Sequence, residues 1–231
     1  MNVLGIIPAR GGSKGVPKKN IRLVNGRPLV HYSIIRGLES TLITDLYLST
    51  DSQEIIENCS SFPSLKIHRR PPELAQDQSP TSDAVWHLLD MAESDNKISY
   101  DLIVILQPTS PLRLKGELDV AIKSVGQSNA NALISVCTDE DTNPARMYLI
   151  KDDLLQPLNP ELETKRRQEL EPVYFRDGCF YIVKTESFRK NKVIMEKPTL
   201  AFLRKSEHLL NIDSHRDMLI AEVLLKEYFE L

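Results

Sequence analysis

Apolar residues fall along the first two thirds of the chain in short runs, separated by stretches of helical period. The runs are VLGIIP from Val3, LYLSTD from Leu46, LKIHR from Leu65, DLIVILQ from Asp101 and ALISVC ending at Cys137. They are rich in Ile, Val and Leu and do not alternate strictly with polar residues, as expected of strands covered on both faces. Between them PLVHYSIIRGLES, QEIIENCS, SDAVWHLLDMAES and GELDVAIKSVGQ carry apolar positions at helical spacing. Strand and helix in this alternation predict an α/β fold, a doubly wound and mostly parallel sheet. In such sheets ligands bind outside the carboxyl ends of the strands.

The rhythm breaks after Cys137. Residues 138–175 are polar, carry Pro144, Pro157, Pro160 and Pro172, and include the basic run Lys165 to Arg167. The segment is too long for a plain connection. It reads as an excursion from the sheet, a hairpin-like arm for self-association or a lid. CFYIV from Cys179 reads as a returning strand, and SHRDMLIAEVLLKEYFE from Ser214 as a closing amphipathic helix. The expectation is one domain over 1–231 with the arm, approximately 138–175, inside it.

A chain of 231 residues is long enough to bury a sizeable core. With a net charge of -3, 41% hydrophobic and 26% charged residues, nothing global points to nucleic acid. Positive charge that matters must be local. Cys59, Cys137 and Cys179 are scattered and lack metal-ligand spacing, which fits small buried residues in a reducing cytoplasm. The first eight residues make too short an apolar run for a signal peptide, and no later run reaches membrane-span length. A soluble cytoplasmic protein, partnered by neither membrane nor nucleic acid, is expected.

The local charge follows the first strand, in IPARGGSKGVPKKN from Ile7. Glycine lets a ligand approach the backbone closely, and successive N–H groups form anion-binding nests. Gly11, Gly12 and Ser13 therefore read as a phosphate cradle, with Arg10, Lys14 and Lys19 supplying charge-assisted contacts. The loop is neither a Walker loop nor G-x-G-x-x-G. A flexible loop of solvated lysines is the plainer alternative, against which its position after the first strand of an α/β sheet argues.

That loop, together with RRPPELAQD from Arg69, LQPTSPLR from Leu106, RRQELEPVYFRDGCFYI from Arg166 and NIDSHRDMLIAE from Asn211, resembles the acylneuraminate cytidylyltransferases, the CMP-sialic acid synthetase family. The motifs occur in order over nearly the whole chain. The resemblance implies a mostly parallel but mixed sheet of the nucleotide-diphospho-sugar transferase type with a protruding dimerisation arm. It implies a reaction in which a nine-carbon α-keto acid sugar and CTP, with Mg²⁺, give the CMP-sugar and pyrophosphate. Arg10 and Lys19 would then bind phosphates, Lys14 support them, and Asn20 contact the nucleotide. Arg70 would help define the nucleotide pocket. Thr81 is a candidate for a base contact, for helix capping, or for both. Such a reaction needs positioning and charge neutralisation more than covalent chemistry from the protein.

By the same resemblance Gln107 contacts the acceptor sugar, at the carboxyl edge of the most apolar strand. Arg113 either serves the ligand or braces its loop. Arg146, Arg167 and Arg176 are candidates for gripping the sugar's carboxylate and polar tail, and Arg146 stands where the family usually has lysine. Some of these residues lie on an arm that in the family reaches the partner's site, so a homodimer is implied. Tyr181 reaches the ligand or is simply core. The family's D-x-D metal motif reads Asn211-Ile212-Asp213 here. Alternation puts 211 and 213 on one face. Asp213 is the expected Mg²⁺ ligand, with Asn211 acting through its amide oxygen or a water.

Ser214 and Asp217 fit a capping box, a structural use, and His215 reads as a surface residue. Asp177 replaces the family's usual Asn, and an acid there is unhelpful to an anionic sugar unless it faces an Arg or a hydroxyl. No side-chain set presents a general base, so a metal-activated anomeric hydroxyl attacking the CTP α-phosphorus is the simplest mechanism. Two alternatives stand beside it. One is a cytidylyltransferase for another keto-deoxy sugar such as Kdo. The other is a non-catalytic nucleotide- or sugar-binding homologue, opened by Asn211.

Overall fold

The computed structural model describes residues 1–13, 15–138 and 142–229. Its centre is a seven-stranded sheet made of β1 (Val3–Pro8), β4 (Asp45–Thr50), β5 (Lys66–Arg69), β6 (Leu102–Leu106), β7 (Ala132–Cys137), β10 (Phe175–Lys184) and β11 (Thr199–Leu203), in the order β11-β7-β10-β6-β1-β4-β5. β10 pairs antiparallel with both β6 and β7, and every other pairing in the sheet is parallel. The expected α/β sheet is therefore mixed by one inserted strand.

β1 shows why these runs are strands. Val3 and Ile7 point into a core shared with α1 (Leu29–Glu39) and α4 (Glu117–Gly126). Leu4 and Ile6 point into the opposite core, with Val85, Leu88 and Leu89 of α3 (Thr81–Asn96). Period-two side chains with apolar cover on both sides need an unbroken apolar run. A third cluster joins α1 to the closing helix α6 (His215–Tyr228) through Tyr32, Leu225 and Phe229. Ile212 belongs to it and is fully buried, so its neighbours Asn211 and Asp213 face outward together. α2 (Gln53–Asn58) follows β4, as its pattern predicts.

Three elements go beyond the sequence reading. β2 (Leu23–Val24) and β3 (Arg27–Pro28) form a hairpin around Asn25 and Gly26, whose φ values are 49° and 72°. This is the Asn-Gly turn that favours two-residue hairpins. α5 (Thr185–Asn191) directly follows β10, and β11 adds a parallel edge beside β7. Within the excursion, β8 (Tyr148–Lys151) and β9 (Leu154–Pro157) pair only with each other. Leu149, Ile150, Leu154 and Leu155 on this hairpin are all exposed. Among the described residues no helix is long and apolar enough to cross a membrane, and the three cysteines are buried and unpaired in disulfides.

Candidate functional site

The carboxyl ends of β1, β5 and β6 open onto a cavity of about 530 Å³. The basic loop forms one of its walls. Arg10 lines the cavity and pairs with Asp77 on the facing wall, Nη1 to Oδ1 2.6 Å. Gly11 donates its N–H to Asp51 Oδ1 at 2.8 Å, so this amide of the expected cradle is already engaged. Its Cβ, if present, would stand 2.9 Å from Ser52 Cβ, which is why the position needs glycine. Gly12 meets nothing within 4 Å, and Ser13 lines the cavity. Lys14 lies outside the described residues. Asn20 is buried, lines the cavity and donates from Nδ2 to Arg10 O at 2.9 Å, fixing the loop.

Lys19 is the most constrained cation of the group. It is buried, and its Nζ donates to Ile212 O at 2.6 Å and to Asp213 Oδ1 at 3.1 Å. An ammonium has three N–H groups, so one remains for a ligand in the cavity that Lys19 lines. The same two segments touch again at Gly15, where a Cβ would fall 2.1 Å from Asp213 O. The basic loop and the 211–213 segment are therefore in direct contact.

Arg70 enters from β5. Its Nε and Nη2 donate to Ser49 Oγ and Ser49 O at 3.1 and 3.0 Å. Burial lowers its pKa, the Arg10 charge adds to this, and Asp51 opposes it. Behind it Ser49 Oγ meets His68 Nδ1, and His68 Nε2 meets His87 Nδ1, each at 2.9 Å. Burial, with the His87 and Arg70 charges, pushes His68 down to about 4. Thr81 lines the cavity as the first residue of α3. Pro80 occupies the N-cap position without a side-chain cap, so the expected capping role is not taken.

A second cavity, of about 570 Å³, lies between β10 and the segment leading to α6. Gln107 lines both cavities and stands at their junction. Arg176 and Tyr181 line the second one, as do Asn211 and Asp217. Burial raises the Tyr181 phenol, with Asp177 and Cys179 adding to this and Arg176 opposing it. Arg113 resolves as a brace. It is fully buried and donates to Cys179 O at 2.9 Å, Ser33 Oγ at 2.9 Å and Gln107 O at 2.8 Å. Arg146 and Arg167 lie in the excursion, and neither lines either cavity.

The 211–213 segment is held by Ile212 N donating to Thr109 O at 2.7 Å. Asp213 presents an exposed carboxylate at the mouth of the first cavity. Asn211 Nδ2 donates to Asp213 Oδ2 at 2.6 Å, while Asn211 Oδ1 lies 3.3 Å from Ser110 Oγ. Asn211 thus shares a face with Asp213 but serves it as a donor, its oxygen turned elsewhere. A hard divalent cation that keeps waters and phosphate ligands needs only one or two protein carboxylates, and Asp213 fits as the one. No group of three or more His, Cys, Asp or Glu able to hold a metal exists among the described residues. Asp217 caps α6. Burial would raise its pKa, but hydrogen bonds from Asp213 N, Ser214 N and Ser214 Oγ outweigh this and lower it.

The sequence reading missed Asp51, Asp77, Ser110 and Arg204. Asp51 directly follows β4 at a carboxyl edge, a position that flags it. Asp77 stands within the quoted RRPPELAQD motif, but its pairing with Arg10 needs the fold.

A family model described as cytidylyltransferase matches residues 4–209. The chain is 30% identical over 226 residues to pseudaminic acid cytidylyltransferase of Campylobacter jejuni, covering 98% of this chain and 97% of that protein. It is 29% identical over 238 residues to CMP-N,N'-diacetyllegionaminic acid synthase of Legionella pneumophila, with 98% and 97% covered. Its fold matches a structure of CMP:2-keto-3-deoxy-manno-octonic acid synthetase complexed with CTP, with a TM-score of 0.72 at 14% identity and both chains fully covered.

Proposed function

Since this chain belongs to the cytidylyltransferase family, we propose that it is the nucleotidyltransferase that activates a sialic-acid-like nonulosonate, with CTP as donor. The observation that carries this reading is the meeting of two cavities at Gln107, one walled by the basic loop and one by Arg176. The first takes the nucleotide and the second the acidic sugar. The anomeric hydroxyl then lies at the junction, where it forms a bond to the α-phosphorus as the bond to pyrophosphate breaks. The hydroxyl proton leaves to solvent.

Each residue has a share in that step. Arg10 exchanges Asp77 for phosphate oxygens, and Lys19 directs its remaining N–H at the developing charge. Gln107 orients the acceptor with an amide that both donates and accepts. Arg176 receives the sugar carboxylate. Asp213, with phosphate oxygens and waters, would hold the Mg²⁺, and the Lys19 and Asn211 hydrogen bonds set its carboxylate plane. When bound there, Mg²⁺ supplies neutralising charge to the triphosphate and to departing pyrophosphate. The exposed apolar hairpin β8–β9 supports a homodimer, with Arg146 and Arg167 on the segment that reaches the partner.

The test is pyrophosphate release from CTP across N-acetylneuraminate, a legionaminate and a pseudaminate, with Kdo, no-sugar and EDTA controls. Release with a nonulosonate, lost in EDTA, is the expected result. Release with Kdo alone moves the acceptor to the eight-carbon class, and CTP binding without any turnover makes the chain a binding protein.

A further inference from the structure

Asp177 stands in the wall of the acceptor cavity and would repel an anionic sugar if its charge were bare. It is not bare. Its side chain is 1% exposed and that of Arg204 is 2% exposed, with Arg204 Nη1 at 2.8 Å from Asp177 Oδ2. Arg204 Nε reaches Glu117 Oε1 at 3.2 Å, and its Nη2 donates to Leu112 O at 2.7 Å. The other Asp177 oxygen accepts from Cys179 N at 3.0 Å and from the Ser135 hydroxyl. Arg113, fully buried, interacts with both carboxylates. Two guanidinium groups and two carboxylates thus close on themselves without net charge.

The cluster sits at a place where geometry decides what the cavity presents. The β10–β7 pairing shifts register between Arg176 and Tyr181, and Gly178 has a φ of 74°. A Cβ there would stand 2.8 Å from Ser110 Oγ and 3.3 Å from Gln107 Oε1. Such an irregularity re-aims the side chains around it, here Arg176 and Tyr181, which line the cavity. Ser110 Oγ donates to Asp177 O at 3.1 Å, tying the irregularity to the loop after β6. Arg204 grips that loop at Leu112, and Glu117 holds it again by accepting from Leu114 N at 2.8 Å.

We propose that Arg204 is a positioning residue for acceptor recognition: it neutralises Asp177 beneath the anionic sugar and locks the bent part of β10 against the loop that carries Gln107. The assignment rests on reading the second cavity as the sugar site. It accounts for an acid where the resemblance leads one to expect Asn, because the arginine just after β11 converts that acid from a repelling charge into a structural acceptor. A buried ion pair is stable only when its remaining hydrogen bonds are met, and here those bonds are the contacts that shape the cavity.

The experiment compares Arg204→Met, Arg204→Lys, Asp177→Asn and the double variant R204M/D177N, measuring KM for sugar and for CTP separately. Arg204→Met should raise the sugar KM at least tenfold and leave the CTP KM within twofold. The double variant should recover part of that loss, since no bare carboxylate remains at 177, and Arg204→Lys should fall between. A sugar KM within twofold of wild type in Arg204→Met, or an equal rise in both KM values, overturns the proposal. If Arg204→Met does not fold, Arg204→Lys decides, with at least a threefold rise in sugar KM alone expected. If wild type accepts no nonulosonate, the functional reading fails, and amide hydrogen exchange still tests the positioning role. Arg204→Lys should then speed exchange at 107–113 and 177–180 but not at 19–28, and a uniform change or none overturns it.

Discussion

Lys19→Met removes three donors while keeping a side chain of similar length and apolar stem. In the wild type two of those donors hold Ile212 O at 2.6 Å and Asp213 Oδ1 at 3.1 Å. The first is a buried, charge-assisted hydrogen bond, worth about 1.5–3 kcal/mol. The second pairs with an exposed carboxylate and contributes less than about 1 kcal/mol. A loss of about 2–3 kcal/mol follows, and for a chain of this size Tm should fall by about 4–12 °C. The catalytic effect should be larger than stability accounts for, because the third donor faces the cavity. Losing one preorganised donor at developing charge costs about 10²–10³ in kcat. The assay is pyrophosphate release at saturating CTP and sugar, well below the variant's Tm, with calorimetry on the same sample. A lowered Tm with kcat within threefold of wild type would refute the catalytic role and leave Lys19 as a strut.

Gly15→Ala places a Cβ 2.1 Å from Asp213 O, so the loop and the 211–213 segment must part by about 1 Å. A misplacement of that size costs about 10²-fold in kcat; with Gly15 at the surface, calorimetry should find Tm little changed, and normal turnover would deny that the contact matters. His68 takes up its proton near 4 in the folded protein but near 6.5 when unfolded. Between those values the unfolded chain binds more protons, so stability falls as pH drops from 6.5 toward 4, by up to about 1.4 kcal/mol per pH unit. His31 and His208 are also lowered, by burial first, and add slope of the same sign. Urea unfolding at pH 7 and pH 5 should therefore show a smaller difference in His68→Gln than in wild type, and an identical difference would count against the assignment. Ile150→Glu with Leu155→Glu should turn a dimer into a monomer in sedimentation velocity, because both residues are exposed on the free hairpin; a wild type already monomeric at micromolar concentration would remove the arm's proposed role.

The elements whose burial is written locally were legible from the chain alone. β1, β4, β6 and β7 are largely apolar runs that need cover on both faces, and the helices between them carry their own period. The chain also determined that Asn211 and Asp213 share a face, since alternation about a buried Ile212 is a property of three residues. The basic loop was legible for the same reason, as glycines and cations adjacent in the chain.

The remaining features depend on residues brought together from far apart. β10 inserts antiparallel between β6 and β7, a choice that no residue of β10 encodes alone. β11 reads locally as an ordinary exposed segment and becomes a strand only because β7 offers an unpaired edge. Arg113 could serve either ligand or loop until its guanidinium met carbonyls of Gln107 and Cys179. Asp177 had no visible partner until the segment after β11 brought Arg204 to it. Hydrophobic period is a short-range signal, whereas pairing edges and buried charges are satisfied by whichever distant group the fold supplies.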